Sequence, residues 1–177
     1  YTNTRHNIGF KIIDAINAHF KLSKQKPKFK GLLTTGNIDE KKIYAIKPLT
    51  FMNNSGTAIK ELIDYFKIDA KDVIVFHDDM DIDFGKIKAK FGGSSAGHNG
   101  IDSIDKFIGK DYSRVRIGIG HPKQKKKVNN HVLEDFKEDE EEKINEITEN
   151  IVKQLPTLIK KKIDLFSSKV NQDLNGI

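Results

Sequence analysis

The sequence contains no cysteine, and this absence excludes several classes of site. The chain by itself forms no disulfide bond, provides no catalytic thiolate and builds neither a zinc ribbon nor an iron–sulfur site. Long apolar runs are also absent, because none approaches the roughly 20 residues that a membrane-spanning helix needs. A composition without cysteine fits a reducing compartment, so we expect a cytoplasmic protein with no membrane contact.

Two common catalytic signatures are missing as well. The glycine-rich segment 92–97 lacks the Gly-Lys-Ser/Thr ending of a Walker motif and the acidic partner of a dinucleotide-binding loop. The chain has no Gly-x-Ser-x-Gly elbow, which disfavours a serine hydrolase. The backbone amides of segment 92–97 offer a phosphate cradle as an alternative, but we favour the wall of a substrate groove.

Charge is abundant and unevenly placed. Charged residues make up 32% and hydrophobic residues 37% of the 177 positions, which is typical of one soluble globular domain spanning 1–177. The net charge of +6 divides into +10 for residues 1–133 and −4 for residues 134–177. A basic surplus indicates an anionic partner. The simplest interpretation of the lysine-rich segments 21–30 and 123–127 is solvated loop, and that of the acidic run 138–142 is a helix start.

Periodicity predicts an α/β fold: a single domain with a mixed, twisted β-sheet flanked by helices on both faces. The sequence pattern predicts helices at 7–20, at 55–66 with Ser55 as the cap, from about 100 to 108, and at 138–166 with a break at Pro156. It predicts strands at 32–38 and 42–46, joined as a hairpin, and at 73–76, 86–91 and 114–120.

Two residues are candidates for acid–base chemistry. His6 precedes the first predicted helix, and an imidazole there is able to act as a general base near neutral pH. Asp78 follows the apolar run 73–76, at the kind of strand end where active sites gather. A carboxylate can orient a histidine and stabilise the imidazolium formed in catalysis, whereas the alternative for Asp78 is a turn or a helix cap.

The run from His77 to Asp81 also raises the question of a metal site, since oxygen-rich clusters suit Mg²⁺ or Ca²⁺. Neighbouring strand residues point to opposite faces, so His77 and Asp78 are not expected to share one ion. We predict neither a metal nor another cofactor.

Amide and imidazole side chains precede two other predicted helices. Asn53, Asn99 and His98 each have helix capping as the simple alternative. An asparagine also offers an uncharged donor and acceptor, which suits a peptide group or a developing oxyanion.

Cations alternate along two predicted strands. Lys88 and Lys90 lie on one face of their strand, and Arg116 lies on another strand with Arg114 on its own face. If the two strands pair, these side chains form a phosphate clamp. Ordinary exposed strand charges are the alternative.

Five segments in order together resemble the bacterial peptidyl-tRNA hydrolase family. They are Tyr1-x-x-Thr4-Arg5-His6-Asn7-x-Gly9-Phe10, Lys47-Pro48-x-Thr50-Phe51-Met52-Asn53-x-Ser55-Gly56, His77-Asp78-Asp79-x-Asp81, Gly92-Gly93 with Gly97-His98-Asn99-Gly100, and Arg114-x-Arg116-Ile117-Gly118-Ile119-Gly120-His121-Pro122. The resemblance covers the chain from Tyr1 to about Phe136.

The resemblance implies a metal-independent esterase that cleaves peptide from tRNA and recycles peptidyl-tRNA released prematurely from ribosomes. It implies that His6 activates water and that Asp78 orients His6. Tyr1, Asn53, Asn99 and His98 would form the substrate groove, with the two asparagines holding the peptide main chain. Lys88, Lys90 and Arg116 would grip the phosphate at the tRNA end. The family-level expectation is a monomer that acts in translation.

One departure and two alternatives accompany this resemblance. The family has a first strand ending in Gly-Asn-Pro-Gly before the match to Tyr1, and we expect that segment to be absent from this sequence. A non-catalytic RNA-binding relative of the same fold is the first alternative, although such a protein has no need of His6, Asp78 and the two asparagines together. A metal-dependent hydrolase built on residues 77–81 is the second alternative.

Overall fold

The computed structural model describes residues 7–50, 54–121, 132 and 135–174. Within these ranges the helices are α1 (Ile8–His19), α2 (Ser55–Phe66), α3 (Asn99–Ile108), α4 (Glu138–Ile159) and α5 (Ile163–Leu174). The strands are β1 (Lys26–Lys28), β2 (Gly31–Ile38), β3 (Lys41–Pro48), β4 (Ile74–Asp79), β5 (Ile87–Phe91) and β6 (Ser113–Gly118). This alternation of helices and strands confirms the predicted α/β class.

The described strands form two three-stranded sheets, where the sequence pattern predicts one mixed sheet. The first sheet has the order β1-β2-β3 and is antiparallel throughout. Its hairpin is confirmed: Ile38 pairs with Lys41, and Asp39 and Glu40 take φ values of 48° and 67° in the two-residue turn. Strand β1, which lies in the segment predicted to be loop, pairs with the start of β2.

The second sheet has the order β4-β6-β5 and is mixed. Ser113 N–H donates to the Val73 carbonyl and Ile119 N–H donates to that of Asp79, so β6 runs parallel to β4. Gly118 N–H donates to the carbonyl of Lys86, while at the other end of the pair Gly92 N–H donates to Tyr112. Strand β5 therefore runs antiparallel to β6, so the pairing on which the phosphate-clamp hypothesis depends is present.

The chain divides into two compact units. One unit contains the described residues of 1–15, 75–90 and 114–177. Its core combines the start of α1, β6 and the two C-terminal helices, which pack against each other. The fully buried side chains include Ile12, Ile117, Ile147, Phe166 and Val170. Gly9 lets α1 approach the backbone of Phe76 in β4 so closely that a Cβ atom would clash with its carbonyl oxygen.

The other unit contains residues 16–74 and 91–113, of which 51–53 lie outside the described ranges. Helices α2 and α3 pack closely because Gly56 lies against the backbone of Ser103, leaving no room for a Cβ atom. Gly56 N–H also donates to Ser103 Oγ at 2.9 Å. The apolar stripe of α2 is buried as its spacing predicts, with Ile59, Leu62 and Ile63 each at most 9% exposed.

Two details at helix ends differ from the prediction. Ser55 is the first residue of α2 rather than its cap, and Asn54 occupies the cap position without a side-chain hydrogen bond. The predicted break at Pro156 is wrong, because α4 continues to Ile159. A proline removes one helical hydrogen bond, but Leu155 and Leu158 on either side of it are buried and hold the last turn.

The acidic run begins α4, as predicted. Four acidic residues fill its first turn, where carboxylates favour the positive end of the helix dipole. Glu140 Oε1 accepts a hydrogen bond from Lys137 N–H at 3.0 Å, which satisfies the backbone amide of the cap residue. None of the helices in the described ranges combines the length and the apolar character needed to span a membrane.

Candidate functional site

Asp78 lies near the carboxyl end of β4 and is only 5% exposed. The strand delivers three polar residues in a row, His77, Asp78 and Asp79, and all three are buried. Asp78 points away from its two neighbours, because successive side chains of a strand alternate between faces. His77 Nδ1 lies 2.8 Å from the Asp78 main-chain oxygen, so that ring nitrogen carries the hydrogen and donates it.

Asp79 and Asp81, which belong to the same acidic motif, contact side chains of β6 and of the segment that follows it. Asp79 Oδ2 lies 3.5 Å from Arg116 Nη1, and Asp79 Oδ1 accepts from Asp81 N–H at 2.8 Å. Asp81 Oδ1 lies 2.7 Å from His121 Nε2. No group of three histidine or acidic side chains within the described ranges is arranged to hold a metal ion. Asp79 and Asp81 are thus engaged by basic side chains.

Lys88, Lys90 and Arg116, which we call the cationic cluster, lie on one face of the β5–β6 pair. The hydrogen bonds at the two ends of the pair fix its register, which sets Lys88 directly opposite Arg116 and Lys90 opposite Arg114. Opposite residues of an antiparallel pair share a face, and like charges placed there destabilise a sheet. Asp79, 3.5 Å from Arg116, offsets part of this positive charge, and the cluster still offers several hydrogen-bond donors on one face.

A groove of about 330 Å³ borders the cationic cluster. All three members of the cluster line it, and its other wall is α5. From α5 come Asp164, Ser167, Ser168 and Asn171. Lys88 and Lys90 are exposed, while the Arg116 side chain is 27% exposed with its Nε buried. The groove is open to solvent, and most of the residues that line it have charged or polar side chains.

His98 and Asn99 lie at the start of α3, in the unit that contains residues 91–113. His98 is the cap residue, and its Nδ1 accepts from Ile101 N–H at 3.2 Å, so the capping alternative holds for this side chain. Asn99 is the first helical residue and is exposed. Its side chain is therefore open to solvent.

The glycine-rich loop before α3 uses its own hydroxyl groups to satisfy its backbone. Ala96 N–H donates to Ser94 Oγ and Gly97 N–H donates to Ser95 Oγ, at 3.1 and 3.3 Å. These two amides are therefore engaged within the loop, which argues against the phosphate cradle. Gly97, at φ 80°, has nothing within 4 Å of the Cβ position. An open loop of this kind fits the favoured interpretation, the wall of a groove.

Comparison with known proteins identifies the family. A family model described as peptidyl-tRNA hydrolase matches residues 1–176. The chain belongs to the peptidyl-tRNA hydrolase family. A peptidyl-tRNA hydrolase of Pelagibacter ubique (strain HTCC1062) is 73% identical over 169 residues, covering 96% of this chain and 91% of that protein. That of Bartonella henselae is 44% identical over 176 residues, or 99% of this chain and 91% of that protein.

Solved structures agree with this membership. The crystal structure of peptidyl-tRNA hydrolase from Acinetobacter baumannii superposes with a TM-score of 0.90 at 31% identity, covering 97% of this chain and 88% of that one. The resemblance drawn from the five motifs is thereby confirmed, as is the prediction of a hydrolase. A non-catalytic RNA-binding relative is not favoured, because these relatives and the solved structure bear the enzyme's name.

The family's predicted site residues fall into three groups in this structure. His6, Asn53 and Tyr1 lie outside the described residues. Asp78 and the cationic cluster belong to one compact unit, and His98 and Asn99 belong to the other. The roles assigned to all nine residues remain predictions.

Sequence reasoning missed the contribution of α5 to the groove. Ser167 and Asn171 lie four positions apart, which places them on one side of a helix, and this spacing is visible in the sequence. Nothing in the sequence indicates that this side meets β5, because the resemblance to the peptidyl-tRNA hydrolase family ends near Phe136.

Proposed function

We propose that the chain hydrolyses the ester bond between the peptide and the tRNA of peptidyl-tRNA, and so recycles tRNA released prematurely from ribosomes. The observation that carries this proposal is the family match over residues 1–176, together with a relative of that name at 73% identity. The site geometry supports it through the cationic cluster, which offers an RNA phosphate several donors at once.

His6 is the general base in this proposal, and it removes a proton from the attacking water. Asp78 holds the imidazole in the productive tautomer and stabilises its protonated form. The burial of Asp78, which is 5% exposed at the end of β4, supports the second role, because charge interactions are stronger away from water. An ester has a good leaving group, so a positioned water, one base and neutral donors are sufficient for hydrolysis without a metal.

Asn53 and Asn99 bind the peptide main chain, while Tyr1 and His98 complete the substrate groove. The exposed Asn99 amide supports its part of this assignment. Amide side chains that pair with a peptide bond also explain why the enzyme would prefer peptidyl-tRNA to free aminoacyl-tRNA. A substrate without that bond leaves them unpaired, which lowers the stability of its transition state.

Lys88, Lys90 and Arg116 bind the phosphate at the tRNA end. Their shared face, the register that sets Lys88 opposite Arg116, and the adjoining groove support this role. Recognition by charge and backbone shape suits an enzyme that acts on many tRNA sequences.

We further propose that the protein is a cytoplasmic monomer and that residues 1–177 unfold as one domain. Light scattering on the purified chain is expected to give the monomer mass of 20.1 kDa, and calorimetry a single transition. A dimer mass or two separate transitions would contradict these points. Fractionation of cells that express the protein tests the compartment.

The activity test uses an N-acetylated aminoacyl-tRNA and the same aminoacyl-tRNA without the acetyl group. The proposal predicts rapid hydrolysis of the blocked substrate, slower hydrolysis of the free one, and no loss of rate with a metal chelator. Tight tRNA binding without hydrolysis would instead indicate the non-catalytic relative. Loss of activity with the chelator, restored by a divalent cation, would indicate the metal-dependent hydrolase.

A further inference from the structure

Two side chains of α5 hydrogen-bond the outer edge of β5, the strand that carries Lys88 and Lys90. Asn171 Oδ1 accepts from Ile87 N–H at 3.2 Å, and Asn171 Nδ2 donates to the Ile87 carbonyl at 3.0 Å. Ser167 Oγ accepts from Ala89 N–H at 3.0 Å. One side-chain amide thus pairs with both backbone groups of a single residue, as a residue of a neighbouring strand would.

The spacing of these contacts matches a helix to a strand edge. Four residues along a helix rise about 6 Å, and two residues along a strand span about 6.6 Å. Ser167 and Asn171 therefore lie at the same interval as Ala89 and Ile87, with α5 running opposite to β5. Helix α5 takes the place of a fourth strand at this end of the described sheet.

The backbone groups that α5 hydrogen-bonds belong to Ile87 and Ala89, the two neighbours of Lys88 in the chain. The backbone N–H groups of Ile87 and Ala89 point toward α5. The backbone N–H and carbonyl of Lys88 therefore point to the other edge, toward β6, where Arg116 lies opposite. Holding the strand at both neighbours sets the direction in which the Lys88 side chain leaves the backbone. Without those bonds the edge strand is free to twist or fray, and the distance between Lys88 and Arg116 would vary.

We infer that Asn171 and Ser167 are positioning residues for the cationic cluster, holding β5 so that Lys88 and Arg116 meet one phosphate together. This inference rests on the proposed function, since it concerns the same tRNA-binding groove. It assigns a role in binding to a helix that carries none of the five family motifs.

Removal of these side chains should leave the fold intact. The position of α5 depends on a different stripe of residues, since Phe166 and Val170 are completely buried and α5 packs against α4. Asn171 and Ser167 are only partly buried, and they lie on the groove side of the helix. Their substitution therefore removes the hydrogen bonds to β5 without disturbing the packing of α5 against α4.

The test combines hydrogen exchange with steady-state kinetics on N-acetylated aminoacyl-tRNA. Asn171→Ala should accelerate exchange at the Ile87 amide and raise KM about threefold to tenfold, with kcat within about twofold of the wild type. Ser167→Ala should accelerate exchange at Ala89 and raise KM about twofold to threefold, because it removes one hydrogen bond rather than two.

Two matched variants on the same helix serve as controls. Ser168→Ala removes an exposed hydroxyl that lines the same groove but makes no hydrogen bond to the described part of β5, so exchange at Ala89 should not change and KM should rise less than in Ser167→Ala. Ser167→Thr keeps the hydroxyl group and should restore wild-type KM. Equal increases in KM for Ser168→Ala and Ser167→Ala would overturn the inference. They would show that KM depends on hydroxyl groups in the groove and not on the hydrogen bond to β5.

A double-mutant comparison separates positioning from a general structural role. In a Lys88→Ala/Arg116→Ala background, Asn171→Ala should change KM by less than about 1.5-fold, since the side chains it positions are gone. A full KM effect in that background, or faster exchange at Ile87 with unchanged KM in the wild-type background, would overturn the inference.

Binding of uncharged tRNA keeps the test independent of catalysis. If the wild-type protein binds tRNA without hydrolysing the substrate, the proposed hydrolysis fails, and the Kd for tRNA replaces KM in every comparison above. Asn171→Ala should then weaken Kd by the same threefold to tenfold, and an unchanged Kd would overturn the inference.

Discussion

Strands β1 and β5 are both short strands at the end of a sheet, and both carry two lysines separated by one residue. Their surroundings differ. Lys26 and Lys28 of β1 face Leu33 and Gly31 across the strand pair, whereas Lys88 of β5 faces Arg116. Lys28 Nζ lies 4.5 Å from the ring centroid of Tyr65, a cation–π contact that engages its charge.

The outer edges of the two strands differ as well. β1 has Pro27 between its lysines, and a short edge strand with lysine and proline resists pairing with other chains. The outer edge of β5 is instead hydrogen-bonded by Ser167 and Asn171. Strands with similar sequence patterns therefore have different roles. The lysines of β1 protect an edge, and those of β5 belong to a cluster held beside a groove.

The largest expected effect is on kcat, and it separates the catalytic role of His6 from the binding of tRNA by basic residues. His6→Ala should lower kcat by about 10²- to 10⁴-fold, the usual contribution of a general base. The Kd for uncharged tRNA should not change, since the basic strands are untouched. Single-turnover hydrolysis and a tRNA-binding titration measure the two quantities. Turnover close to that of the wild type would contradict the assignment of the base.

The next effect concerns the cluster on β5 and β6. Lys88→Ala and Arg116→Ala should each raise KM about tenfold, while kcat falls much less, because each variant loses a charge-assisted contact to phosphate. Substrate-saturation curves on N-acetylated aminoacyl-tRNA provide both constants. If neither variant changes KM, the cationic cluster is not the phosphate site.

The smallest expected effect concerns β1. Lys26→Ala and Lys28→Ala remove the same charge from the same kind of strand, so they are matched controls for Lys88→Ala. Each should change KM by less than about twofold, since surface charges that are not organised into a site contribute little. A KM increase equal to that of Lys88→Ala would show that net charge, rather than arrangement, determines tRNA binding.

The sequence was sufficient for the features that depend on local pattern. The apolar spacing in α2 sets its bounds at Ser55–Phe66, and alternation on β5 and β6 places Lys88 and Arg116 on strands that do pair. The family resemblance supplied the enzyme class. The helix and strand types were predictable because the pattern of each element is contained within about ten neighbouring residues.

The features that escaped prediction depend on distant or very short segments. Asn171 meets Ile87 across 84 positions of sequence, and no periodicity marks such a contact. Strand β1 has three residues, too few to show alternation. The continuation of α4 beyond Pro156 depends on buried Leu155 and Leu158, so tertiary packing outweighs the local preference of proline.

The salt dependence of kcat/KM tests the central claim most directly, because each phosphate contact contributes to the slope of its logarithm against the logarithm of salt concentration. The wild type should be compared with Lys88→Ala/Arg116→Ala and with Lys26→Ala/Lys28→Ala, which each lose two positive charges. The slope should become shallower by about 1 to 2 in the first double variant and stay unchanged in the second. Equal slopes in the two double variants would contradict the claim that arranged charge on β5 and β6, rather than total charge, binds the tRNA.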